Sequence, residues 1–145
     1  MITQAEADYL ISMVKLIETP KSVKFPFPGE KREIPLLSTD GKEKFLLDIN
    51  RGGIKLSKCT YQNRYRKDIV LLRLDIDGPD HTNPGEDGPI SCPHLHVYRE
   101  GFGDKWAIPL PHEFSSDTSL IVKLFEFLQY CKIDNANEIQ LQGVI

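Results

Sequence analysis

An alternation of apolar and polar residues with a period of two runs through the middle of this chain and narrows its folding options to a sheet. In Lys44 to Ile49, the residues Phe45, Leu47 and Ile49 fall on one side of an extended segment. From Asp68 to Ile76, Val70, Leu72, Leu74 and Ile76 take one side, and Ile69, Leu71, Arg73 and Asp75 take the other. Successive side chains of a strand point to opposite faces, so each segment predicts a strand with one face against a core. Asn50-Arg-Gly-Gly53 reads as a turn between strands, and a further strand or strand pair runs through Ile54 to Arg66. Residues 94–99 and 105–110 read as a hairpin around Glu100-Gly-Phe-Gly-Asp104, with Pro109 marking an edge or a strand end.

The flanks read differently. Thr3-Gln-Ala-Glu6 has the form of a capping box, and Ala7, Leu10, Val14 and Ile17 follow at helical spacing. That predicts a helix ending near Glu18, because the residue before Pro20 is pushed out of the α region. Residues 22–33 hold turn formers and read as a connector. Ser115 or Ser116 is the expected cap of a second helix through Cys131, with Leu120, Leu124, Leu128 and Cys131 on one face. Ile139, Leu141 and Val144 alternate in the tail and suggest a last strand. The expected fold class is α+β: an antiparallel meandering sheet with an N-terminal and a C-terminal helix packed on it. With 145 residues, no repeat and no linker, 1–145 reads as a single domain, large enough to bury a core without a metal or disulfide staple.

Composition excludes some classes. A net charge of −3 argues against a protein that coats nucleic acid with its whole surface, although a local basic patch remains compatible with it. Cys59, Cys92 and Cys131 are an odd number without close spacing, which suits a reducing compartment and gives no zinc-finger signal. No apolar run approaches a membrane span, and MITQAEADYL lacks the basic start and apolar core of a signal peptide. A cytoplasmic protein with no membrane partner is expected, and a homo-oligomer is compatible with the sequence.

Two segments carry chemistry. Residues 51–67, RGGIKLSKCTYQNRYRK, hold six cations and no acid. On a strand, Gln62, Arg64 and Arg66 project to one side, and Cys59, Tyr61 and Tyr65 to the other. Arg64, Arg66 and Lys58, with Arg99, suit a phosphate backbone, and Tyr61 and Tyr65 suit stacking on unpaired bases. The plainer alternative is a solvated face whose arginines pair with the acidic residues at 75–87. In CPHLHVYRE, residues 92–100, His94, His96 and Tyr98 share one face, while Leu95 and Val97 face the presumed core.

Three chemistries fit two imidazoles at that spacing. A metal site would recruit His81, Asp75 or Asp80. A metal-free phosphodiester site would use one imidazole as base and one as acid, with Tyr98 positioning a base and Arg64, Arg66 or Arg99 on the phosphate. A binding site would use the imidazoles as donors to phosphate or carboxylate. A purely structural pair, with each ring bonded to loop backbone, stands beside them. DIDGPD, residues 75–80, lacks the spacing and terminal glutamate of a calcium loop.

LDINRGGIKLSKCTYQNRYRK together with PHLHVYREGFGDKWAIPL resembles a family of small uncharacterised proteins from bacteria and their phages, across roughly residues 43–112. That resemblance implies a compact cytoplasmic domain and no particular activity. The order of a helix before a basic, histidine-bearing antiparallel sheet is also similar to toxin-type endoribonucleases, an analogy of fold alone. The resulting expectation is a small RNA-directed protein, a metal-independent endoribonuclease with no cofactor and with RNA or another polyanion as partner. The alternative is a non-enzymatic binder, such as a phage-encoded inhibitor of a host nucleic-acid-handling or defence complex. In that case Asp77, Asp80, Glu86 and Asp87 would meet the host protein.

Overall fold

A computed structural model describes residues 1–141. Helix α1 spans Gln4–Ser12, followed by strands β1 (Lys15–Ile17), β2 (Lys31–Ser38), β3 (Lys44–Arg51), β4 (Cys59–Tyr65) and β5 (Ile69–Asp75). Next come β6 (His81–Thr82), β7 (Pro89–Ile90), β8 (His94–Val97) and β9 (Ala107–Pro109), and then helix α2, Leu120–Tyr130. Seven strands pair antiparallel in the order β1-β2-β3-β4-β5-β8-β9, while β6 and β7 form a small separate ribbon. The chain is an α+β fold: a meandering sheet with a helix from each end of the chain packed on it.

Both helices lie on one face. Ala7 and Leu10 of α1 and Leu124, Phe127 and Leu128 of α2 join Leu47, Ile49, Tyr61, Leu72, Leu74 and Leu95 in one buried cluster. Each such aliphatic or aromatic side chain contributes roughly 1.5–3 kcal/mol of burial, so this face holds the sheet in place. Cross-strand partners project to the same side of a sheet. The register Asp48↔Gln62, Gln62↔Arg73 and Arg73↔His96 therefore lays a polar row across the other face.

The elements depart from the sequence expectations at several of their ends, and β4 begins at Cys59 and not at Ile54. The capping box at Thr3 and Glu6 is present, but α1 stops at Ser12. Residues Lys15–Ile17 instead pair with Leu36–Ser38, because ladder bonds to β2 outweigh the helical spacing, and Val14 stays exposed. Part of the presumed connector is thus strand β2. The second helix is capped by Ser119, whose hydroxyl accepts from the Val122 N–H, and not by Ser115 or Ser116. Ile139 and Leu141 lie outside any strand, after a 3-10 turn at Ala136–Glu138, and Val144 lies beyond the described residues. Among the described residues, no helix is long and apolar enough to cross a membrane.

Candidate functional site

Strands β5 and β8 build the site. Their register sets Asp75 opposite His94 and Arg73 opposite His96, so four ionisable side chains share one patch of the polar face. The 77–92 excursion folds back over this patch. Asn83 clamps the main chain of Ala107, donating to its carbonyl at 2.8 Å and accepting from its N–H at 2.7 Å. His81 Nε2 lies 2.8 Å from the Lys105 carbonyl. Under this cover His94 and His96 are 1% and 2% exposed.

The ring orientations follow from main-chain acceptors. His94 Nδ1 lies 3.1 Å from the Ile90 carbonyl, and His96 Nδ1 lies 2.8 Å from the Asp104 carbonyl. A carbonyl only accepts, so both Nδ1 atoms carry a proton, which leaves the two Nε2 atoms as the reactive positions. Both converge on one oxygen: Asp75 Oδ2 stands 3.3 Å from His94 Nε2 and 3.2 Å from His96 Nε2.

Arg73 completes the cluster. Its Nε donates to Asp75 Oδ1 at 2.8 Å, its Nη2 to Asp75 Oδ2 at 3.1 Å and its Nη1 to Asp104 Oδ2 at 3.0 Å. The same Nη2 is 3.0 Å from His96 Nε2. Burial pushes the Asp75 carboxyl up, but hydrogen-bonding contact with His96 and the bonds and charge of Arg73 outweigh it. The carboxyl is held well below the usual carboxylate range. Asp75 is therefore an anion at any physiological pH.

These groups line a cavity of about 260 Å³ that also touches Lys58, Thr60, Asp77, Asp80, His81 and Cys92. Three carboxylates (Asp75, Asp77, Asp80) face two cations (Lys58, Arg73), so the cavity wall carries a formal excess of negative charge. The Cys92 thiol is 3.7 Å from His94 Nδ1. Burial pushes its pKa up, and the charges of Asp75, Asp77 and Asp80 add to that.

A model of a family of unknown function, DUF6978, matches residues 2–133. The chain belongs to that family. No curated protein and no solved structure matches it. In this DUF6978 chain the match takes in both helices and all nine strands of the described residues, so the histidine cavity lies wholly inside it.

The other residues singled out in the sequence are dispersed. Tyr98 is a correction to the expected histidine face. Strand β8 ends at Val97, and the next residue turns into the core, where its hydroxyl donates to the Ile2 carbonyl at 2.6 Å. Tyr61 is fully buried against Phe127 and donates to the Leu120 carbonyl, so it has no face for a base. Tyr65 is buried too, packed on Phe45 and donating to Glu43 Oε2.

The cations divide between committed and free. Arg64 is engaged by Asp48, Glu33 and the Lys67 carbonyl through all but one of its N–H groups, so its charge is already answered by two carboxylates. Arg66 is exposed over the Tyr65 ring in a left-handed turn just past β4, at the far end of that strand from Thr60 of the cavity. Arg99 stacks on Trp106, its guanidinium 3.8 Å from the ring centroid. Only Lys58 of the four reaches the cavity.

The acidic residues divide as well. Asp77 is bound by Ser57 and, at 2.9 Å, by Lys55, while Asp80, Glu86 and Asp87 are exposed. From the sequence, Asp75 entered only as a recruit to a metal site, and Asp104 only as part of a turn. Asp75 and Arg73 were signalled by alternation, which places them on the polar side of β5, but only the register against β8 brings them to the histidines.

Proposed function

We propose that this DUF6978 chain is a small nucleic-acid-directed domain, with RNA the favoured target, acting on the phosphodiester backbone at the histidine end of its open sheet face. The cavity carries this reading. Two imidazoles, a guanidinium and a carboxylate sit on rigid strands around a hollow with Lys58 at its edge. Buried titratable groups gathered around a cavity are enriched at working sites, because their desolvation opposes folding unless another role keeps them there. Imidazole moves protons near neutral pH, and Lys58 and Arg73 suit a phosphate oxygen. The tyrosines play no part in this version, and Arg66 serves only as an outlying contact.

The test is incubation of purified protein with a mixed RNA pool, with and without EDTA. Cleavage by wild type, at least ten-fold slower in His96→Gln, is expected. Lys58→Glu should weaken RNA binding across sequences and flatten its salt dependence by about one charge. RNA neither bound nor cut under any condition removes this reading.

One observation favours a second reading, a partner-binding protein without catalysis. Ile54 is fully exposed and Leu56 largely so, on a loop that Lys55 and Ser57 tie to Asp77 at the foot of the acidic excursion. Apolar side chains exposed beside a charged loop suit a protein contact. Under this reading, reversing Asp80, Glu86 and Asp87 abolishes partner capture, while His96→Gln leaves it intact.

A further inference from the structure

We propose that Asp75, His94 and His96 form a site for one divalent transition-metal ion of the zinc class. The inference rests on the cavity described above and not on RNA as its target.

The first argument is the direction of the rings. With both Nδ1 atoms turned to main-chain carbonyls, the two Nε2 atoms and Asp75 Oδ2 point at one another. Arg73 Nη2 stands by His96 Nε2, but among the described residues the donor nearest His94 Nε2 is the Cys92 sulfur, 4.0 Å away. Three groups able to bind a metal, buried and converging on one point, offer a divalent cation a site that already excludes water.

The second argument is spacing. Ligands about 2.0–2.1 Å from a tetrahedral centre stand about 3.3 Å from each other. The two Nε2–Oδ2 separations are 3.3 and 3.2 Å, and all three ligand atoms lie within 4.8 Å of one another. The third is the outer shell. Carbonyls that hold the distal N–H of each imidazole are the usual support of metal-binding histidines.

Donor type selects the metal. Two imidazoles and one carboxylate suit zinc, cobalt or iron(II), whereas magnesium and calcium take oxygen ligands. Three protein ligands leave a fourth position open to the cavity, as in catalytic and not structural zinc sites. Loading requires Arg73 Nη2 to withdraw from His96, and its bonds to Asp104 and to Asp75 Oδ1 can keep it nearby. A dication would also reverse the negative excess of the cavity wall and make it receptive to phosphate, the substrate class proposed above, with the imidazoles then serving as ligands and not as proton carriers.

The experiment uses the full chain stripped with chelator, its fold checked by circular dichroism, and titrated calorimetrically with zinc chloride. One equivalent of zinc is expected, with no heat from magnesium, and cobalt(II) should give the visible absorption of a four- or five-coordinate centre. His94→Gln and Asp75→Asn should each lower zinc affinity at least ten-fold. If a variant does not fold, zinc-dependent shifts of the His94 and His96 ring resonances in wild type give the same information. No zinc uptake by folded wild type overturns the inference. Uptake undiminished in both variants overturns it equally. Zinc uptake without action on RNA upholds it and removes only the RNA reading.

Discussion

Lys15 joins the two helices, and its removal has a pH signature that can be worked out in advance. The side chain is wholly buried, and Nζ donates to the carbonyls of Ile11 at 3.3 Å, Met13 at 2.8 Å and Cys131 at 3.1 Å. These are carbonyls at the C-terminal ends of α1 and α2, so a single ammonium meets the negative ends of both helices. Burial pushes its pKa down, a Cys131 thiolate would oppose this and the Lys132 charge adds to it, leaving it at about 8 against an ordinary 10.5.

Between those values the unfolded chain still holds the proton that the folded chain has released, so stability rises with pH across the interval. At about 1.4 kcal/mol per pH unit, the full rise is about 3 kcal/mol. Lys15→Met has no such group. Urea unfolding of wild type and variant, followed by circular dichroism from about pH 7.5 to about pH 10.5, isolates the effect, because other titrating groups cancel in the difference. The difference should move toward wild type by about 3 kcal/mol across that range. A difference that stays flat, or moves toward the variant, refutes the reasoning.

Two further outcomes follow from the cover over the histidines. Asn83→Ala removes both bonds to the Ala107 main chain and should cost about 2 kcal/mol in urea unfolding, with zinc affinity reduced as the excursion loosens; unchanged stability would show that the clamp contributes nothing. Cys59 and Cys131 are buried and Cys92 is half-buried at the cavity, so a disulfide exchange reagent should modify one thiol of the native protein, none in Cys92→Ser, and more slowly with zinc bound. Rapid reaction of two or three thiols would contradict this.

The strands with strict alternation were readable in the sequence because their two faces meet different surroundings. In β4, Cys59, Tyr61 and Tyr65 are buried and Thr60, Gln62 and Arg64 are not, as the period of two implies. Strands β1 and β2 were not readable. Pro35 falls within β2, where Pro normally weakens a strand, yet its carbonyl accepts the Glu18 N–H and the pairing with β3 runs through it. Alternation placed His94 and His96 on the polar face, but it could not show that the 77–92 excursion would bury them or that β8 would end before Tyr98. Those facts depend on long-range contacts: Asn83 with Ala107, His81 with Lys105 and Tyr98 with Ile2. Arg64 looked free because its partners, Glu33 and Asp48, come from two other strands.

The two imidazoles are aimed by carbonyl oxygens of residues 90 and 104, and a carbonyl oxygen is common to every amino acid. Evolutionary drift at Ile90 can therefore proceed without turning His94, provided the backbone path is kept. An engineer could vary the side chain at position 90, while the ring beneath keeps its orientation. Side-chain identity and ring orientation are thus separable inheritances here: one is written in the residues, the other in the course of the chain.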